Sequence, residues 1–234
     1  MTTTTSNSLN DVTRAMNNMY RYTRHVYDAS RKYYLLGRDR LIEKLRVRPD
    51  EIVIEVGCGT ARNLIQMARL YPQAHFYGLD ASEEMLKTAQ ESIDRAGLSD
   101  RIKIAHGFAQ NFDPAAMFGI EPGTVDKIVF SYALSMIPPW QDSLDHALTL
   151  IKPAQPATPA GPAHPGGSVH IVDFGSQEGL PKWFRAFLFW WLDLFGVHFR
   201  PELPVYVRTL SSKNFKPAIT TGLKGYYWMA EIRG

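Results

Sequence analysis

EIVIEVGCGTA, residues 51–61, decides the fold, together with the arginine that follows it. An apolar run ending at Val56 breaks into Gly57, Cys58 and Gly59. That is how a strand hands over to a turn whose backbone can approach a ligand, with the unpaired N–H groups of a helix just beyond. A pyrophosphate-binding turn requires a third glycine at position 62, where Arg62 stands. The alternative is a ligand that puts no phosphate there and still carries a ribose.

Outward from this stretch the same alternation recurs. HFYGLD (75–80) precedes ASEEMLKTAQESIDRAGL, IKIAHG (102–107) leads into a looser stretch, and KIVFSYAL (127–134) precedes a helix around 141–151. SVHIVDF (168–174) is the fifth strand-like run. Such alternation implies right-handed crossovers and a parallel sheet with helices on both faces. Ligands of such sheets bind at the carboxyl ends of the strands. The ending AITTGLKGYYWMAEIRG has glycines between two strand-like runs, a hairpin signal. Residues 10–48 are expected to be a helical cap that closes before Pro49.

A chain of 234 residues with 45% hydrophobic and 21% charged residues suits one globular domain. The single cysteine, Cys58, leaves no internal disulfide and fits a reducing cytoplasm. The start, MTTTTSNSLND, lacks the basic and apolar regions of a secretory signal. The net charge of +3 hides an asymmetry, since Arg14 to Arg48 holds ten Lys/Arg against three acids. A basic segment of this kind suits an anionic partner, nucleic acid or membrane, and also a plain solvated helix face. KPAQPATPAGPAHPGG (152–167) is expected to be a flexible insertion. WFRAFLFWWLDLFGVHF (183–199), inside an aromatic segment 178–210, is too short to span a bilayer, which takes ~20 apolar residues. It is either a core helix or a lid whose rings meet acyl chains or the membrane interface. Scattered single histidines and a lone cysteine predict no metal site.

The loop from Glu55 through Gly57 and Gly59 resembles the E/D-x-G-x-G-x-G loop of class I S-adenosylmethionine methyltransferases, with Ala61 in place of the last glycine. The resemblance implies an α/β, Rossmann-like fold with a mostly parallel seven-stranded sheet, a C-terminal antiparallel hairpin and an N-terminal helical cap. It also implies S-adenosylmethionine as cofactor and S-adenosylhomocysteine as product. Glu55, Gly57, Gly59 and Thr60 would face the amino-acid end of the cofactor, with Arg38 available for its carboxylate and Tyr27 for its methionyl part. Asp80 and Ala81 would take the ribose, although Asp80 could instead cap its own helix. After the third strand the pattern has an acidic turn, but here Gly107, Phe108, Ala109 and Gln110 stand without the acid. Phe108 could stack on adenine, with Ala109 and Gln110 beside it. Ser131 and Tyr132, ending the fourth strand, would line the cleft.

The block from Tyr20 to Arg40, SYALSMIPPW (131–140), HIVDFG (170–175) and HFRPEL (198–203) resemble a narrower family, the bacterial betaine-lipid N-methyltransferases. These convert diacylglyceryl-homoserine to its N,N,N-trimethyl product. The resemblance implies a lipid headgroup substrate, a peripheral position on an anionic membrane surface in the cytoplasm and no nucleic acid. The transferase that makes diacylglyceryl-homoserine would be a candidate partner. An aromatic pocket for the alkylammonium would draw on Tyr20, Tyr22, Tyr27, Tyr33 and Tyr132. Arg24 and Arg31 would take the homoserine carboxylate, and His25 or Asp28 the amine proton. Phosphatidylethanolamine is the alternative substrate, and an NAD-dependent oxidoreductase the rival from another class.

Overall fold

The computed structural model describes residues 35–156, 165–193 and 199–234. Seven strands form one sheet: β1 (Ile52–Val56), β2 (His75–Asp80), β3 (Ile102–His106), β4 (Lys127–Ser131), β5 (Ser168–Phe174), β6 (Lys216–Gly222) and β7 (Tyr227–Arg233). Their order is β3-β2-β1-β4-β5-β7-β6. The first five run parallel, and β7 returns antiparallel against both β5 and β6. The expected seven-stranded, Rossmann-like sheet with its terminal hairpin is therefore present.

Seven α-helices are described: α1 (Arg38–Lys44), α2 (Arg62–Leu70), α3 (Glu83–Ala96), α4 (Pro114–Phe118), α5 (Trp140–Leu150), α6 (Lys182–Asp193) and α7 (Glu202–Thr209). Short-range chemistry sets their ends. In α3 the Ser82 hydroxyl accepts from Met85 N–H, Glu83 and Glu84 occupy the positive end, and Gly97 at φ 67 closes the helix. Asp113 caps α4 in the same way, with Pro114 in its first turn and Gly119 at φ 71 after it.

The central strands are continuously apolar because both faces are covered. Val53, Val129 and Val172 pack on one side with α1, α2, α3 and α6 through Leu41, Leu64, Met67, Ala89 and Leu188. Ile54, Ile128, Phe130 and Ile171 pack on the other with α5 and α7 through Leu144, Leu148, Leu203 and Val207. The 152–167 insertion leaves and re-enters at one stem, where Gly167 N–H donates to the Lys152 carbonyl at 2.8 Å.

Candidate active site

Loops after β1, β2, β4 and β5 share the carboxyl edge of the sheet. There Gly57 N–H and Cys58 N–H both donate to the Leu79 carbonyl, at 2.8 and 3.0 Å, so β2 holds the first turn before α2 begins. Gly57 at φ 74 and Gly59 at φ 53 are left-handed, a conformation open to glycine without steric penalty. A Cβ on Gly57 would also sit 3.0 Å from the Ala133 methyl, so the turn and the loop after β4 close on each other. Ala61 adopts φ 61 and opens α2, keeping the glycine conformation of the third position without the glycine.

Asp80 ties this turn to the next one. Its Oδ2 accepts from Gly59 N–H at 2.8 Å and its Oδ1 from Ser82 N–H at 2.9 Å. Ser82, rather than Asp80, caps α3, which leaves the carboxylate facing the glycine turn. Glu55 is buried beneath the start of α2, where its Oε1 accepts from Asn63 Nδ2 at 2.7 Å. Cys58, also buried, has its thiol pKa raised well above the usual range by desolvation and by the nearby Asp80 and Glu55 charges. Arg62, the residue that breaks the dinucleotide pattern, reaches out to Asp39 Oδ1 at 3.0 Å and fastens α1 to α2.

Arg38 opens α1 and is buried, and α1 lies against α2 and β5. Tyr132 points its hydroxyl at the same segment, donating to the Leu36 carbonyl. Its ring lies 4.6 Å from that of Phe174, centroid to centroid, and its backbone is left-handed at φ 54. Burial first, then the Asp173 charge, hold this hydroxyl protonated far above the ordinary tyrosine range. Tyr132, expected to line the cleft, is a clasp on the segment that precedes α1. At the β3 end Ala109 is buried, Phe108 and Gln110 half-buried, and the Phe108 ring meets His106 edge-on at 5.7 Å. Thr60 and Ala81 are half-buried beside Gly59 and Asp80.

Tyr20, Tyr22, Arg24, His25, Tyr27, Asp28, Arg31 and Tyr33 lie outside the described residues. Three residues given no role above do stand at the site. Asp173, next to last in β5, accepts from Ser135 N–H at 2.9 Å and Phe174 N–H at 2.8 Å. Burial pushes its carboxyl up to about 6, against the opposing hydrogen bonds from Ser135 and Phe174 and the Arg200 charge. Gln177 is fully buried with φ 54, and neither side-chain amide atom finds a hydrogen-bond partner. Asn63 holds Glu55. Asp173 lay within the quoted HIVDFG block without a role, and nothing in the sequence marked Gln177 or Asn63. Among the described residues no three His, Cys, Asp or Glu gather as a metal site, and no helix is long and apolar enough to cross a membrane.

Residues 53–154 match the family model described as a methyltransferase domain. Over that stretch, a little under half of its length, the chain is similar to class I methyltransferase domains. The demethylmenaquinone methyltransferase of Listeria welshimeri is 26% identical over 201 residues, covering 86% of this chain and 70% of that protein. An S-adenosylmethionine-dependent methyltransferase from Aquifex aeolicus superposes with a TM-score of 0.57 at 14% identity, over 87% of this chain and 92% of the other. Phosphoethanolamine N-methyltransferase 2 of Haemonchus contortus, solved with S-adenosylmethionine, gives 0.59 at 15% identity, over 79% of this chain and 38% of that one. The likeness of this chain to the two solved structures is one of fold.

Proposed function

We propose that the protein is an S-adenosylmethionine-dependent N-methyltransferase that methylates the amino group of diacylglyceryl-homoserine, giving the trimethylated betaine lipid. The observation that carries the cofactor reading is Asp80. Its carboxylate ends β2 directly beside two left-handed glycines, where it can turn from the Gly59 N–H toward a ribose diol. The donor set fits the group: glycine backbone at Gly57 and Gly59, the Glu55 carboxylate below α2, the buried cation of Arg38 for a carboxylate, and the buried Ser131 hydroxyl, which has no hydrogen-bond partner. Bound there, S-adenosylmethionine supplies an electrophilic methyl group on a sulfonium.

The chain's own residues then have mainly to position and to exclude water, because an in-line displacement gains most from alignment of the reacting atoms. Tyr132 fastens the segment before α1 through Leu36, closing one wall of the cleft. Tyr20, Tyr22, Tyr27 and Tyr33 offer ring faces for an alkylammonium, each contact worth about 0.5–2 kcal/mol, and Arg24 or Arg31 a fork for the homoserine carboxylate. His25 is the acceptor proposed for the amine proton. The narrower substrate rests on the Tyr20–Arg40 block and SYALSMIPPW. A second reading is favoured by the Listeria relatives, whose name gives demethylmenaquinone as the methyl acceptor.

Labelled S-adenosylmethionine incubated with diacylglyceryl-homoserine, phosphatidylethanolamine and demethylmenaquinone in detergent separates the readings. The expected result is label on the homoserine lipid alone. Label only on the quinone would replace this reading by the second. No calorimetric heat with S-adenosylhomocysteine would remove both.

A further inference from the structure

The α6 helix is apolar on two sides, and only one of them is used by the core. Leu188 and Leu192 are buried, and Phe184 and Trp191 pack beside them. On the opposite side Trp183, Phe187 and Trp190 follow at the i, i+4, i+7 spacing of one helical face and are 74%, 51% and 60% exposed. A soluble helix normally turns charge outward at such positions, so three large rings in water indicate a surface that something covers.

The patch extends beyond the helix. Leu223, at the tip of the β6–β7 hairpin, is 57% exposed. That tip is fixed beside the approach to α6, because Gly179 N–H donates to the Lys224 carbonyl at 3.1 Å and Gln177 N–H to the Gly225 carbonyl at 2.8 Å. A Cβ on Gly179 would sit 2.6 Å from that of Lys224. Lys182 and Lys224 are exposed and Arg185 half-buried around these apolar groups, with Glu178 and Asp193 as the acids. Tip and helix start both lie at the carboxyl edge of the parallel strands, since Tyr227 pairs with Phe174 at the end of β5. With strands ~4.8 Å apart, the glycine turn on β1 is about 14 Å away along that edge.

We propose that the outward face of α6 and the β6–β7 tip dock together on a lipid bilayer and hold the cleft mouth against it; this deepens the lipid-substrate reading and rests on it. Trp and Phe with a cationic rim are the side chains that settle at the boundary between headgroups and acyl chains, where rings bury and Lys reaches phosphate. The cations outnumber the acids around the patch, which suits an anionic surface.

The test is partition of the full chain onto phosphatidylcholine vesicles with and without phosphatidylglycerol, at low salt. Trp183→Ser, Phe187→Ser and Trp190→Ser should each weaken partition roughly tenfold, the amount expected for withdrawing half a large ring from an apolar phase. Lys182→Glu and Lys224→Glu should each weaken it about fivefold, and only with phosphatidylglycerol present. Leu70→Ser and Val205→Ser, exposed apolar residues elsewhere, should change nothing. The docking is overturned if the triple aromatic variant binds S-adenosylhomocysteine like the parent and still partitions like it. It is equally overturned if the triple variant alters oligomeric state without altering partition. Normal turnover in detergent micelles without vesicle partition removes the docking alone, whereas absence of turnover in micelles removes the proposed substrate.

Discussion

At the β1–β2 side of the cleft, Asp80 spans Gly59 N–H and Ser82 N–H, Glu55 holds Asn63, and two left-handed glycines shape the turn. At the β4–β5 side, the Ser131 hydroxyl and both amide atoms of Gln177 are buried without hydrogen-bond partners, and Asp173 is held where ionisation is unfavourable. The first side is held together mainly by hydrogen bonds between its own groups, the arrangement proposed above to receive the cofactor. The second carries polar groups that a folded chain does not bury for stability alone, since each unsatisfied one costs about 1–3 kcal/mol. The unpartnered Ser131 and Gln177 groups are candidates for contacts to a methyl acceptor.

The contrast breaks most readily at Asp80. Asp80→Ala removes the acceptor of two backbone N–H bonds and the proposed ribose contact. Charge-assisted bonds are worth about 1.5–3 kcal/mol each, so S-adenosylhomocysteine affinity should fall by two orders of magnitude or more in calorimetry. A loss under threefold would mean that the carboxylate serves only the turn. In the other half, Tyr132→Phe should lower stability by about 1 kcal/mol and raise KM for the lipid, with cofactor affinity nearly unchanged.

Two buried groups on β5 give opposite pH signatures. His170 is pushed down to about 4 by burial and bonds Ser168 through its Nε2 at 2.8 Å. Its folded pKa lies below the unfolded one, so stability is lost as pH falls from about 6.5 to 4. Asp173, raised to about 6, stays protonated in the folded chain while the unfolded chain ionises, so its contribution is lost as pH rises from about 4 to 6. Each slope is about 1.4 kcal/mol per pH unit, and in the parent they nearly cancel. Measured by thermal unfolding, His170→Gln should gain stability between pH 6 and 4 relative to the parent, and Asp173→Asn should lose it. Parallel curves for both variants would show that neither group is shifted.

Gln177→Leu should be a smaller effect of unusual sign. Removing an amide that has no partner should stabilise the fold by about 1 kcal/mol, leave S-adenosylhomocysteine binding intact and raise KM for the lipid. A destabilised variant would show that the amide has a partner in solution.

The difference between the two halves also governs how much could be read from residues alone. The β–α alternation, the glycine turn and Asp80 were legible because each follows from local backbone demands that one segment states by itself. The hairpin was equally legible, although the insertion of β7 between β5 and β6 was not, since strand order is settled by packing across the sheet. Glu55 was visible as an acid, but its bond to Asn63 depends on how far α2 turns over β1. Gly78 permits that closeness: a Cβ there would lie 2.6 Å from Leu64 Cδ1 and 2.9 Å from Cys58 Sγ. Gln177 and the clasp from Tyr132 to Leu36 arise from contacts between distant segments, which no spacing rule encodes.

Position 62 gives the smallest effect and the sharpest discrimination. Arg62→Gly completes the glycine spacing of a dinucleotide turn, with Gly57 and Gly59 already in place. It removes an ion pair to Asp39 in which both side chains are largely solvated, 40% and 59% exposed, so the electrostatic loss should be under 1 kcal/mol. Glycine in the first turn of α2 adds up to about 1 kcal/mol. If the ligand class were set by that glycine, NAD should begin to bind. The geometry predicts otherwise: Ala61 already supplies the left-handed residue at φ 61, and Glu55 keeps an acid beneath the start of α2, where a pyrophosphate would meet like charge. Titration of the variant should therefore show unchanged S-adenosylhomocysteine affinity within about threefold and no heat with NAD. Appearance of NAD binding would move the selectivity from the acids flanking the turn to the missing glycine.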